Sequence, residues 1–159
     1  MNRLHKILIY ITIQFLFVHH SAYAACWEQA GLSFQIPPAL LYAIAQQESG
    51  LNAQAIGKNR DGSRDIGLMQ INSRHLPNLE KLGIDEQQLL NDSCLSVFVG
   101  ASILAEFINR YGYSWEAVGA YNAGTSSKNK SLRIRYAKKI WERYQQLQTP
   151  IEQLHTPTE

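Results

Sequence analysis

The chain has 159 residues, 45% hydrophobic and 18% charged, with a formal net charge of +2. That is enough chain for one domain with a sizeable apolar core, and the charge is too small to favour a nucleic-acid partner. Its two cysteines form no Cys-x-x-Cys spacing and have no catalytic dyad around them, and Gly-rich phosphate loops and G-x-S-x-G elbows are missing, so thiol, zinc, nucleotide and serine-hydrolase chemistry are poor explanations and neither cofactor nor metal is expected.

The elements begin with an address. Arg3 and Lys6 precede an almost wholly apolar run, Ile7 to Val18, and Ala22-Tyr23-Ala24 is a small-x-small cleavage signal. This pattern predicts an export signal over residues 1–24. The apolar run is shorter than the roughly 20 residues that span a bilayer, so no stable membrane anchor is expected after cleavage. The leader carries two cations and no acid, and without it the formal charge of +2 falls to zero. Tyr23-Ala24-Ala25-Cys26 also loosely resembles a lipobox with Tyr where Leu is usual, a reading that would consume Cys26. In an oxidising compartment, however, Cys26 and Cys94 are more naturally a disulfide.

One domain is expected over residues 25–148, acting as a monomer, followed by a loose tail over 149–159 that contains Pro150 and Pro157. Pro37-Pro38 opens a helix over Ala39 to Ser49, with Leu40, Leu41, Ile44 and Ala45 at helical spacing and Gly50 ending it. Asp61-Gly62 reads as the tip of a small hairpin, with Ile66 to Ile71 as a short strand. A long buried helix is expected over Cys94 to Tyr111 and a shorter one over Trp115 to Tyr121. The last helix, Ser131 to Leu147, has Ile134, Ile140, Trp141, Tyr144 and Leu147 available to face inward. Its cations (Lys128, Lys130, Arg133, Arg135, Lys138, Lys139 and Arg143, against Glu142 alone) read as a solvated face opposite that stripe. The class is mostly α (α+β), with a small β-hairpin beside the helix that carries Glu48.

Chemistry concentrates in Glu48-Ser49-Gly50 and the segment Asp65-Ile66-Gly67-Leu68-Met69-Gln70-Ile71-Asn72. An acid behind an apolar helix and a second acid on a short strand are what two carboxylates need to flank one glycosidic bond. Each acid also has a plainer reading: Glu48 as a surface acid, Asp65 as a partner of Arg64 or a turn cap. Asn59-x-Asp61-Gly62-Ser63-x-Asp65 superficially suggests a calcium loop, but its glycine is misplaced and no Glu closes it.

Glu48-Ser49-Gly50, Gly67-Leu68-Met69-Gln70-Ile71-Asn72 and Ala120-Tyr121-Asn122-Ala123-Gly124 resemble, in order and spacing, the three signature segments of SLT-type lytic transglycosylases. The resemblance runs from Cys26 to about Tyr144, and a short exported chain of this kind looks like the specialised IagB/IpgF-type enzymes that accompany type III secretion systems. It implies a lysozyme-like, mostly helical fold, a periplasmic location, peptidoglycan glycan strands as substrate and a secretion apparatus as possible partner. It also implies that Ser49, Met69, Gln70, Asn72, Tyr121 and Asn122 line the glycan groove and that Tyr136 lies near the acid.

The run from Glu48 through Asp65 to Ser73 is similar to C-type lysozyme as well, whose two active acids have this separation. The division of labour between them is lysozyme's own. On that assignment Glu48, among side chains such as Met69 and Tyr121, is desolvated and stays protonated as a general acid, and Asp65, in a polar segment with Arg60, Ser63 and Arg64, stays charged.

Overall fold

A computed structural model describes residues 25–148; the expected leader, 1–24, and tail, 149–159, lie outside the described residues. Residues 25–34 form helix α1, and its Cys26 is bonded to Cys94, with the two Cα atoms 5.4 Å apart. The disulfide takes up the Cys26 sulfur that lipid attachment would need. Closing a loop with a sequence separation of 68 stabilises the fold by about 4 kcal/mol on a chain-entropy basis.

Helix α2 (Pro38–Ser49) has proline in its first turn and Gly50 at φ 62° past its end. Proline lacks the amide hydrogen that a first turn leaves unpaired, and glycine adopts the left-handed cap without a Cβ clash. Leu41, Ala43, Ile44 and Ala45 of α2 are fully buried, so the helix runs through the core and releases Glu48 at its end.

The expected strand over Ile66 to Ile71 is in fact two strands and a turn. β1 (Ile56–Lys58), β2 (Arg64–Ile66) and β3 (Ile71–Asn72) form an antiparallel sheet in that order. Asp61-Gly62 does lie in the turn between β1 and β2. The interruption falls where Gly67 takes φ 72° and Gln70 takes φ 49°, left-handed values that end extended pairing. Gly67 cannot be replaced cheaply, since a Cβ there would stand 2.6 Å from the Leu89 carbonyl oxygen.

Beyond the sheet come the short helices α3 (Leu76–Leu79) and α4 (Glu86–Asn91), which the sequence patterns do not announce. Asp85 and Gln88 form a reciprocal capping box at the start of α4. The long helix α5 (Ser93–Tyr111) and the shorter α6 (Trp115–Ala123) lie where expected, with the side chains of Asp92 and Ser114 accepting from the first free amides of each. Such N-caps satisfy donors that a helix start otherwise leaves bare.

Helix α7 (Lys130–Gln148) is rotated relative to the expected apolar stripe. Its buried residues are Arg133, Tyr136, Ala137 and Ile140, while Ile134, Trp141 and Leu147 are exposed. Only Ile140 and, in part, Tyr144 face inward as anticipated. Arg133 therefore leaves the solvated basic face: it is 4% exposed and donates to the carbonyls of Gly124 (3.3 Å) and Ser126 (2.7 Å) and to Glu116 (2.9 Å). The end of α6 and the turn after it present carbonyls that need donors, and a guanidinium supplies several in one plane. Gly119 lets the two helices meet, because a Cβ there would lie 2.4 Å from the Arg133 carbonyl oxygen.

Arg133→Ala should therefore destabilise the domain by about 2–3 kcal/mol, from orphaned carbonyls and lost packing rather than from the half-exposed Glu116. Chemical denaturation checks this: Arg135→Ala, on an exposed side chain of the same helix, should change the midpoint little by comparison.

Candidate active site

A cleft of about 520 Å³ opens between the sheet and helices α5 and α6, and both acids of the sequence motif line it. Its polar wall is Asn59, Asp61, Ser63, Asp65, Asn72 and Arg74; its apolar side includes Ile71, Ile103, Phe107 and Ala120. Glu48 enters from the last turn of α2 and Asp65 from the middle of β2, so two different elements place the two carboxyls in one space.

The acids differ in what holds them. Glu48 accepts a hydrogen bond from the hydroxyl of Tyr136 on α7. Burial raises its pKa from 4.5 to about 7; the Tyr136 hydrogen bond opposes this, and the charge of Asp65 adds to it. Water is the better solvent for a carboxylate, so a carboxyl denied water keeps its proton. Burial also drives the hydroxyls of Tyr136 and Tyr121 well above the ordinary tyrosine range, so both remain proton donors.

Asp65 is clamped instead by amides. Its Oδ1 accepts from Asn72 Nδ2 at 2.7 Å and its Oδ2 from Asn59 Nδ2 at 2.9 Å. Asp65 and Asn72 are direct cross-strand partners, and Gly57 stands opposite Asp65 on the other side. The sheet register thus sets one amide beside the carboxylate, and the missing side chain at 57 leaves room around it. Arg64 does not pair with Asp65; it turns to Glu86. Asp61, at the hairpin tip, accepts from the backbone and hydroxyl of Ser63 and binds Arg74. The Ser63 hydroxyl is the largest influence lowering its pKa.

The remaining motif residues divide into wall and frame. Gln70, Asn72, Tyr121 and Asn122 line the cleft, and Tyr136 touches Glu48. Ser49 and Met69 do not line it. The Ser49 hydroxyl donates to the Leu68 carbonyl at 2.7 Å, and the Met69 side chain is fully buried against Gly100. Both instead secure the turn over residues 67–70. Tyr121 does so as well, donating to the Met69 carbonyl at 2.9 Å, and Gln70 Nε2 donates to the carbonyls of Gly67 and Ala55. Backbone polar groups cut off from water require such partners.

The family comparison agrees with the motif geometry: residues 25–144 match the family described as Transglycosylase SLT domain. The chain belongs to that family. It is accordingly a lytic transglycosylase, an enzyme active on peptidoglycan outside the cytoplasm. It is 60% identical over 138 residues to the invasion protein IagB of Salmonella typhimurium, covering 87% of this chain and 86% of that one. Protein IpgF of Shigella flexneri is 47% identical over 135 residues, with 85% and 89% covered. The fold is similar, at a TM-score of 0.60 and 21% identity, to an inactive mutant of the lytic transglycosylase Slt from Pseudomonas aeruginosa, with 79% of this chain and 24% of that one covered.

Sequence reasoning misses Asn59, Arg74, His75, Ile103 and Phe107 in the cleft. Asn59 has only the signal of a turn former, and Ile103 and Phe107 repeat with the same spacing as core positions, so periodicity cannot separate a cleft wall from a core. Among the described residues no three His, Cys, Asp or Glu side chains come together as metal ligands.

The raised pKa of Glu48 makes stability pH-dependent with a definite sign. Between 4.5, its ordinary value, and about 7 the folded protein holds a proton that the unfolded chain has released, so this contribution is fully present below 4.5 and is lost as pH rises through 7. Glu48→Gln removes the dependence. The melting temperature of Glu48→Gln should therefore gain on the wild type as pH goes from 5 to 8, and thermal scans across that range test it; a constant difference would show that Glu48 is not desolvated.

Proposed function

We propose that this enzyme cuts the β-1,4 bond between N-acetylmuramic acid and N-acetylglucosamine and leaves a 1,6-anhydromuramic acid end. Protonated Glu48 donates its proton to the glycosidic oxygen as that bond breaks. The resulting carboxylate takes the proton of the muramic acid C6 hydroxyl as O6 attacks C1, which closes the anhydro ring and returns Glu48 to its starting state. No water is consumed. One group can serve as acid and then base because its pKa lies near the working pH, where either protonation state is accessible. The observation that carries the reading is Glu48 itself, its pKa raised to about 7 by burial, on the wall of a cleft of about 520 Å³ that Asp65 also lines.

Asp65 supports this chemistry from the polar wall. A negative charge beside the oxocarbenium-like transition state stabilises it without forming a bond. The same residue favours a second reading, a muramidase hydrolase, since a retaining hydrolase uses a second carboxylate as nucleophile and then admits water. The Ala120-Tyr121-Asn122-Ala123-Gly124 motif weighs for the lyase. Similarity to the invasion protein IagB favours a local task, opening the periplasmic wall for a secretion apparatus after removal of the leader.

Digestion of purified peptidoglycan in labelled water separates the two reactions. Mass spectrometry should find anhydro ends without label; label at the new sugar end makes the enzyme a hydrolase.

Substitutions rank the acids. Glu48→Gln should abolish clearing of cell-wall suspensions while the protein remains folded. Asp65→Asn should slow it by one to two orders of magnitude, about 1–3 kcal/mol of transition-state stabilisation. An unaltered rate in folded Asp65→Asn would remove Asp65 from the mechanism.

A further inference from the structure

Away from the cleft, a second cavity of about 470 Å³ lies along α7, lined by Trp115, Lys130, Ile134, Ala137, Lys138 and Trp141 with the Glu116–Arg133 pair at its side. The chemistry described above uses none of these side chains. Ile134 is 61% exposed and Trp141 41%, and the rings of Trp115 and Trp141 meet edge to face at 5.0 Å. Large apolar groups gathered on one face of a soluble domain mark a contact surface rather than scattered surface hydrophobics.

The spacing gives the groove its shape. Positions 130, 134, 137, 138 and 141 share one stripe of an α-helix, so the groove follows the α7 axis for about 16 Å, or three helical turns. Its walls are nearly all carbon, which suits leucine-like side chains and offers a sugar few hydrogen-bond partners. Its charges are one-sided. The Glu116 carboxylate is taken by Arg133 at 2.9 Å, and among the described residues Lys138 has only Glu142 at 4.0 Å, with both side chains largely exposed. Lys130 and Lys138 are thus left to set a positive rim on a helix whose one acid is Glu142.

From the apolar stripe and its rim we infer that the α7 groove is a docking site for an acidic amphipathic helix of a partner protein. Apolar residues of that helix at i, i+4 and i+7 fill the space between Trp115, Ile134 and Trp141, and its flanking carboxylates meet Lys130 and Lys138. The position is consequential. α6 starts at Trp115 in the groove and ends at Tyr121 to Ala123 in the cleft, so a partner bound here holds the catalytic cleft at a fixed place without entering it.

The test is selection of displayed helical peptides, about 18 residues long with randomised faces, on immobilised protein corresponding to residues 25–159. The enriched peptides are expected to be acidic and amphipathic, to bind less tightly as salt is raised, and to lose at least tenfold in affinity for Ile134→Glu and for Lys130→Glu/Lys138→Glu. Both variants should clear cell walls within about twofold of the wild type and melt within a few degrees of it. Any of four results overturns the proposal: no enrichment, neutral or basic binders, binding indifferent to Ile134→Glu, or displacement by glycan fragments. Two others reassign the groove and equally overturn it. Tighter peptide binding after truncation at Gln148 would make the chain's own last residues the occupant, and a dimer in sedimentation that Ile134→Glu dissolves would make it a second copy.

Discussion

The hydrogen bond from Tyr136 to Glu48 joins residues 88 apart in sequence and closes the wall behind a partly buried carboxyl. Two elements must meet for it to form: the end of α2, which releases Glu48, and the middle of α7, which carries Tyr136. Bringing them together desolvates the acid, and desolvation is the largest influence on its pKa. The hydrogen bond partly offsets that influence, so the acid rests near neutrality rather than far above it. An acid at neutrality can both give and take a proton, whereas one buried with no partner would only hold it.

A desolvated carboxyl in this position is a cost to the fold, because ionising it in place is unfavourable. The surrounding structure is correspondingly over-determined. The turn over residues 67–70 is held by Ser49, Tyr121, Ser96 and the side chain of Gln70, and Gln70 keeps a left-handed backbone at φ 49° within that net. Such a conformation costs a non-glycine residue of order 1 kcal/mol and persists where several contacts fix it. Ser49 and Met69 act on the cleft at one remove: they hold the turn whose other residues form its wall.

Asp65 illustrates the opposite use of environment. Amides from Asn59 and Asn72 occupy one lone pair on each carboxylate oxygen and fix its direction, while its half-exposed position keeps it within reach of solvent. The register of three very short strands decides this. A shift of one residue between β2 and β3 would turn Asn72 to the other face and leave Asp65 without that donor. The sheet is too small to add much stability, and its contribution is to aim a charge.

What could be read from the sequence alone was chemical and local. Glu48 behind an apolar helix, the capping glycine at 50, the Asp61-Gly62 turn and the Cys26–Cys94 pair all follow from residue type and spacing, which act over a few neighbours or through a covalent bond. The split of the 66–71 segment into a strand, a turn and a strand followed from Gly67 lying against the Leu89 carbonyl, a contact with a distant helix. The rotation of α7, which buries Arg133 and exposes Ile134 and Trp141, came from unpaired carbonyls at the end of α6 and from the close approach at Gly119. Hydrophobic periodicity reports an average preference for burial, and it cannot register that a neighbouring helix needs a hydrogen-bond donor more than the core needs another apolar side chain. Only the packed structure brings that need and Arg133 to the same place.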